Sequence, residues 1–290
     1  MGRVMRRGMG IMMMKHLLLL SVYMLFCAPL ALAEERPAGR IVSLGPVLTE
    51  EIYLLGAEDR LVGVTTYCTR PEAAKLKERV GSIQDINIEK VVALKPDLVL
   101  ATVLTDPRAK EKLRRLGIRV VDVPNARDFN GICDVFRMIA KILGKEQQAD
   151  AIIADARQKV QALTLKLKAA SKVSVFVQVG LNPLVTIGQG SFVNDLINLA
   201  GGHNIVAEPG YLQYAREMVL NRDPDVILIS SMGFDGEREK AAWERFNSLR
   251  AVAGRRVYIL DEYLMCSPTP VRCVTALKAI MGYLHPEVDR

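Results

Sequence analysis

Cysteine and histidine are the side chains of this 290-residue chain that most directly attack substrates or bind metals. Its downstream histidines, His203 and His285, are far apart and do not form the H-x-x-x-H spacing that places two zinc ligands on one helix face. The sequence contains no G-x-S-x-G elbow, no G-x-G-x-x-G turn and no Walker lysine pattern. We therefore expect a binding protein and no enzymatic activity, with no catalytic residue and no resident metal.

Two glutamates occur in a pattern that the chain uses twice. Glu89 lies seven residues before Pro96-Asp97, and Glu217 lies seven residues before Pro224-Asp225; an apolar run follows each Pro-Asp pair. Proline restricts the preceding residue and stops a helix, and a short apolar run is typical of a buried parallel strand. The pattern predicts the same helix–Pro-Asp–strand unit in each half of the chain.

The chain alternates β-rich apolar runs with amphipathic stretches, which predicts an α/β fold around these residues. Seven strands are predicted, at 41–44, 61–65, 98–101, 120–123, 173–179, 226–229 and 257–260. Between the halves, residues 145–172 have apolar side chains at helical spacing, which predicts one long amphipathic helix. We predict two Rossmann-like lobes with parallel sheets, 34–144 and 173–290, joined by this rigid helix with a ligand cleft between them.

Residues that follow the predicted strands are the candidate ligand contacts, because ligands of parallel sheets collect at the carboxyl ends of the strands. They are aromatic, amide, small or sulfur-containing side chains, a lining that suits a large, flat, apolar-edged molecule. The candidates are Gly45, Pro46, Tyr67, Cys68, Thr102, Asn182, Val185, Tyr211, Tyr263, Met265 and Cys266.

The N-terminal segment 1–33 has basic residues, an apolar run and Ala31-Leu32-Ala33, as a cleaved secretory signal has. Cys27 offers a lipid-anchored alternative, but the bulky Phe26 precedes it where lipoprotein signals have a small residue. Met14 is an alternative start that leaves the mature protein unchanged. Export permits disulfides among Cys68, Cys133, Cys266 and Cys273, either as a local Cys266–Cys273 loop or between the halves.

Charge excludes nucleic acid as a partner. The formal charge is +7 for the whole chain and falls to about +3 without the four basic residues of the leader. The remaining basic residues are mixed with acidic ones, as on solvated helix faces.

Together these features resemble the helix-bridged class of periplasmic binding proteins that serve ABC importers. The resemblance covers essentially the whole mature chain and depends on the order of five segments: 41–50, 62–68, 87–97, 180–183 and 201–204, with the long helix between the third and fourth. It implies an extracytoplasmic monomer that delivers a metal chelate (cobalamin, a ferric siderophore or haem) as cargo, not as a cofactor, to a permease dimer with its ATPase.

The resemblance also implies roles for individual residues. Glu89 and Glu217 match the acids that dock on the two permease subunits, although Glu89 beside Asn87 also suits a simple helix cap. Tyr67 matches an aromatic that packs on the macrocycle in cobalamin binders. Ile83 replaces a stacking Trp of those binders, and Val179 and Val185 lie where they have Phe, which weakens cobalamin as the cargo.

Three alternatives stay open at this point. Cys68, Met265 or Cys266 could coordinate a haem iron or a cobalt centre directly. Arg70, Arg127 and Arg272 could instead surround an anionic siderophore. A haem-binding or other metal-handling or sensory protein outside transport could also use this fold.

Overall fold

The structure is a computed structural model of the chain. It describes residues 38–167, 170–230 and 233–288, without the side chains of Glu262 and Cys266. The predicted leader 1–33, the Cys27 anchor and the Met14 start therefore lie outside the described residues. Residues 38–290 form one compact unit.

The N-terminal lobe is an all-parallel sheet with helices on both faces. Its strand order is β3-β2-β1-β4-β5. The strands are β1 Ile41–Leu44, β2 Leu61–Val64, β3 Glu78–Arg79, β4 Leu98–Thr102 and β5 Arg119–Val123, and the helices are α1 Pro46–Leu54, α2 Ile88–Ala93, α3 Pro107–Arg115 and α4 Phe129–Leu143. Short 3-10 helices cover Glu58–Arg60 and Glu72–Leu76. The parallel sheet predicted for this half is confirmed.

The C-terminal lobe has a mixed sheet, where the sequence predicted a parallel one. Its strands are β6 Val173–Gly180, β7 Val185–Ile187, β8 Gly202–Asn204, β9 Tyr211–Gln213, β10 Val226–Ser230 and β11 Val257–Leu260. The order is β11-β10-β6-β7-β9, with β8 also on β6, and β7 is antiparallel to both β6 and β9. Three-residue strands carry too short a pattern to be predicted, which is why β7, β8 and β9 were missed.

Helices cover both faces of this second sheet as well. They are α6 Phe192–Leu199, α7 Arg216–Arg222, α8 Gly236–Trp243, α9 Arg250–Ala253, α10 Glu262–Cys266 and α11 Pro270–Leu284. Side chains alternate along each strand between two cores: Val175 and Val177 point into one cluster, Phe176 into another. This period of two is what a strand covered on both faces requires.

The lobes share a continuous hydrophobic core. One cluster runs from the inner face of the first sheet through α1 and α4 to α6, α11 and the inner face of the second sheet. The connecting helix α5, Glu146–Leu165, packs along α4 and α11 through Ala149, Ile153, Ala156 and Val160. This helix is 20 residues long, or about 30 Å. It ends at Leu165, before the predicted boundary at residue 172, and β6 begins at Val173.

The duplicated unit is confirmed in structural detail. Helices α2 and α7 each end before a residue with positive φ, Lys95 at 47° and Asp223 at 43°, which precedes the proline. The aspartate that follows then binds the start of the neighbouring strand: Asp97 accepts from the Gly39 amide at 2.8 Å, and Asp225 accepts from the Ser174 amide at 2.8 Å. Pro-Asp is thus a strand-pairing device in both lobes.

Candidate functional site

The two lobes meet where strands of both sheets end. Thr69 follows β2 in the first lobe, Tyr263 follows β11 in the second, and their hydroxyl groups are hydrogen-bonded to each other. Since both residues come shortly after the carboxyl end of a strand, the junction lies where parallel α/β lobes collect ligands. We call the surface around this contact the interlobe junction.

Apolar side chains of the first lobe are exposed just after the carboxyl ends of two of its strands. Tyr67, two residues before Thr69, has 59% of its surface exposed. Val103 and Leu104, which follow the carboxyl end of β4, are 49% and 70% exposed. Large apolar side chains left in solvent at a strand edge are typical of a binding surface.

Three of the predicted site residues lie close together beneath this surface. Gly45 follows β1 in a buried position, and a β-carbon there would lie 2.6 Å from the Thr102 methyl group, so glycine is needed for the approach. Pro46 starts α1 directly after it. These residues fix how the ends of β1 and β4 meet, and Thr102 is partly exposed at that edge.

The predicted residues of the second lobe lie around the β6–β7 turn and on the edge strand. Asn182 is exposed in the turn and Val185 begins β7. Tyr211 begins β9, pairs with Ile187 and is 69% exposed.

The sulfur atoms predicted as ligand contacts are placed differently. Cys68 has no exposed surface, and its Sγ lies 3.1 Å from the Thr65 hydroxyl in the core. Met265 is 3% exposed and belongs to the shared core, and the side chain of Cys266 lies outside the described residues. Cys68 and Met265 therefore present no sulfur to a ligand in this conformation.

Two arginines at the junction bind the opposite lobe: Arg272 is largely buried, and Arg70 remains partly exposed. Arg272 of α11 forms a bidentate pair with Glu50 of α1, with N–O distances of 2.7 and 3.0 Å, and both side chains are about 15% exposed. Arg70 lies 3.5 Å from Asp261 and 3.9 Å from the ring centroid of Tyr263. The sequence analysis named both arginines as possible contacts of an anionic siderophore, because nothing in the sequence identifies their partners within the protein. Arg127, the third of that set, is exposed.

A buried carboxyl lies next to this ion pair. Glu51 is 1% exposed, and its Oε2 has no hydrogen-bond partner among the described residues. Burial, and secondarily the charge of Glu50, raises the pKa of Glu51 well above its ordinary value. On the opposite lobe, Asp195 accepts a 2.8 Å hydrogen bond from the Phe129 amide of α4, and burial raises its pKa too.

The two predicted docking glutamates are exposed on α2 and α7, which occupy matching places on the outer faces of the two sheets. In the first lobe Asn87 caps α2 by accepting from the Lys90 amide at 2.9 Å. In the second lobe α7 has no side-chain cap, and Arg216 binds the buried Glu239. The helix cap expected for Asn87 is confirmed, and the docking role of both glutamates stays a prediction.

Cys273 does not form the predicted local disulfide with Cys266. Cys68, Cys133 and Cys273 are free and buried, which corrects the predicted Cys266–Cys273 loop. Cys273 lies on the inner face of α11, in the shared core, so its thiol points into the core. Burial raises the pKa of both Cys133 and Cys273 above the ordinary thiol value.

Within residues 38–167, 170–230 and 233–288, no group of three or more His, Cys, Asp or Glu side chains is arranged to hold a metal ion. Among the same residues, none of the helices combines the length and apolarity needed to cross a membrane.

Two α/β lobes around a shared helical core, meeting at the ends of their strands, define a two-lobed solute-binding protein. A family model described as Periplasmic binding protein matches residues 41–264. The chain belongs to this family, which confirms the resemblance.

Individual relatives carry more specific names. A vitamin B12-binding protein of Vibrio cholerae is 34% identical over 92% of this chain and 96% of its own. An uncharacterised ABC transporter substrate-binding lipoprotein, YvrC, of Bacillus subtilis is 33% identical over 86% of this chain and 80% of its own.

Solved structures agree with the fold. The periplasmic vitamin B12 binding protein BtuF of Vibrio cholerae superposes with a TM-score of 0.73 at 32% identity, covering 88% of this chain and 99% of that one. A periplasmic heme binding protein from Pseudomonas aeruginosa gives a TM-score of 0.77 at 26% identity, covering 86% and 94%.

Proposed function

We propose that this protein captures a metal chelate of the corrinoid class at the interlobe junction and delivers it to an ABC importer. The observation that carries the proposal is the exposed ring of Tyr67 at the carboxyl end of β2, beside the point where the lobes touch. An exposed aromatic at the end of β2, together with exposed Val103 and Leu104 at the end of β4, suits the apolar face of a macrocycle. The vitamin B12-binding relative supports the corrinoid class.

Haem is the second candidate, and the same residue supports it. Tyrosine oxygen binds haem iron in some proteins, and the phenol of Tyr67 is exposed whereas the sulfur atoms of Cys68 and Met265 are buried. The heme binding protein among the solved structures has the same fold. Corrinoid stacking needs only the ring of Tyr67, whereas haem ligation needs its oxygen.

Two substitutions separate these candidates. Tyr67→Phe keeps the ring and removes the oxygen, so cyanocobalamin affinity should persist. The visible spectrum of haemin bound through the oxygen should instead change, because the axial ligand is lost. Tyr67→Ala should weaken either ligand by roughly tenfold or more, about the loss of one aromatic contact. Isothermal titration with cyanocobalamin, haemin and a ferric siderophore measures this. If none binds the native protein below roughly 10 µM, the proposed cargo is wrong.

We propose that Glu89 and Glu217 dock on the two permease subunits. Both carboxylates are exposed on matching helices, and the shared core between the lobes supports a fixed separation. Charge complementarity at such a pair sets register and encounter rate. Reversing both charges should abolish uptake and leave chelate binding in solution unchanged. Loss of chelate binding with docking intact would refute the assignment.

We also propose the remaining organisation. Residues 1–33 are a signal peptide cleaved after Ala33, which N-terminal sequencing of the exported protein tests. The lobes 34–144 and 173–290 are joined by 145–172, and a monomer binds the permease. The packing of α5 on both α4 and α11 supports a rocking of only a few degrees. A large compaction in solution scattering on ligand binding would contradict this.

A further inference from the structure

We infer that Arg216 and Glu239 are positioning residues for Glu217. They anchor the first turn of α7 to the sheet, so that the carboxylate of Glu217 is presented at a fixed place. The inference rests on the proposed docking role of Glu217.

A buried polar cluster holds the start of α7. Glu239 of α8, with 4% of its side chain exposed, is ion-paired with Arg216, the residue directly before Glu217. The guanidinium group of Arg216 also lies 4.4 Å from the ring centroid of Trp243, which is fully buried. A guanidinium group held by a carboxylate and an aromatic face at once has few alternative positions.

The cluster continues into the central strand of the sheet. Gln178 of β6 donates to Glu239 Oε1 at 2.9 Å and accepts from Trp243 Nε1 at 2.7 Å. The same Gln178 amide donates to the Gly180 carbonyl at 3.1 Å, where β6 leads into the turn that carries Asn182. The docking helix is thus connected to the strand that supports the predicted ligand contacts of this lobe.

The arrangement explains a helix that lacks the usual start. Helix α7 has Ala215 at its N-cap and no side-chain hydrogen bond there, and it is only seven residues long. A helix this short is marginal without tertiary support. Arg216 supplies that support from inside the protein, and Glu217, next in sequence, is exposed.

Distances between spin labels test the inference. Labels introduced through unnatural amino acids at Val92 and Met218, both about 40% exposed, sit beside Glu89 and Glu217 and leave both glutamates intact. Double electron-electron resonance then gives the spread of distances between the two docking helices. Arg216→Met and Glu239→Gln should each widen the distribution by about twofold, since a supporting contact within the protein is lost, and Arg216→Lys should restore part of it.

Lys90→Met is the matched control, because it breaks an exposed pair with Glu78 on the other docking helix. Because that pair is exposed and the Asn87 cap remains, the distribution should widen far less than in Arg216→Met. A native-like width in folded Arg216→Met and Glu239→Gln proteins would overturn the inference. If Arg216→Met does not fold, Glu239→Gln and Arg216→Lys decide the matter.

A second measurement separates this inference from the proposed function. Arg216→Met should lower uptake of cyanocobalamin by cells at least about tenfold with its affinity in solution unchanged, as expected when presentation of a docking residue is impaired. Equal uptake by native and Arg216→Met proteins would contradict the positioning role. If the native protein fails to bind cyanocobalamin, or if reversal of Glu89 and Glu217 leaves uptake intact, the proposed function fails, and the label distances still decide the positioning role.

Discussion

Helices α2 and α7 have the same backbone plan and different side-chain support. Each helix is followed by a residue with positive φ and then by Pro-Asp. Each aspartate binds the start of the neighbouring strand in the sheet. The first lobe holds α2 from its surface, through the Asn87 cap and the exposed Lys90–Glu78 pair at 2.8 Å. The second lobe holds α7 from inside, through Glu239.

This difference shows which parts of a duplicated unit are constrained. The backbone device is retained in both halves because it pairs the strand after Pro-Asp with the first strand of the sheet. The support of the helix start can vary, since a surface cap and a buried ion pair satisfy the same need. We expect the two lobes to respond very differently when matched contacts are removed.

The largest difference should come from the two glutamates that hold the helices. Glu239→Ala leaves Arg216 partly buried without its partner and should destabilise the fold by about 3 kcal/mol. Glu78→Ala removes an exposed pair and should cost less than about 1 kcal/mol. Urea denaturation followed by circular dichroism measures both. Equal costs would remove the contrast between inside and surface support.

A smaller contrast is expected at the paired aspartates. Asp225 accepts from both the amide and the hydroxyl of Ser174, whereas Asp97 accepts from the exposed amides of Gly39 and Arg40. Asp225→Asn should cost about 2 kcal/mol at pH 7, as for hydrogen bonds to a charged group, and Asp97→Asn about half of that.

The cost at Asp225 should depend on pH. Burial alone would raise the pKa of Asp225, but the Ser174 hydrogen bonds and the Arg250 charge outweigh it, so the folded-state pKa is lowered. Its stabilising effect is present above the unfolded pKa of about 4 and is lost as the pH falls through the folded value. The native protein and Asp225→Asn should therefore converge in urea midpoint as the pH falls below the unfolded value and through the lower folded one. A difference in urea midpoint that persists at low pH would show that the role of Asp225 is purely steric.

The smallest effect should be a gain in stability at the junction. The folded-state pKa of Glu51 is raised, so the fold favours its protonated form, and ionisation destabilises the native protein as the pH rises above the unfolded value of about 4. Glu51→Gln should be equal to the native protein near pH 4 and more stable than it at pH 7. Asp195→Asn, partly buried in the other lobe, should show the same trend more weakly. Thermal unfolding over this pH range measures both, and a gain that is independent of pH would contradict the explanation.

Long apolar runs made most of the fold predictable. β1 and β11 occur at the predicted residues. The Glu-to-Pro-Asp repeat identified two equivalent lobes because helix end, proline and strand start are local in sequence. The short strands β7 and β9 were missed, and with them the mixed character of the second sheet.

The two α/β halves, the helix between them and the repeated helix–Pro-Asp–strand unit could all be derived from the sequence, because each depends on periodicity and local turn chemistry. Which candidate side chains face solvent depends on the tertiary packing, which the sequence patterns do not reveal. In the folded protein Cys68 is buried and Tyr67 is exposed. Arg272, a candidate ligand contact, is paired with Glu50. The physical reason is that burial and ion pairing between residues more than two hundred positions apart arise from how the lobes pack.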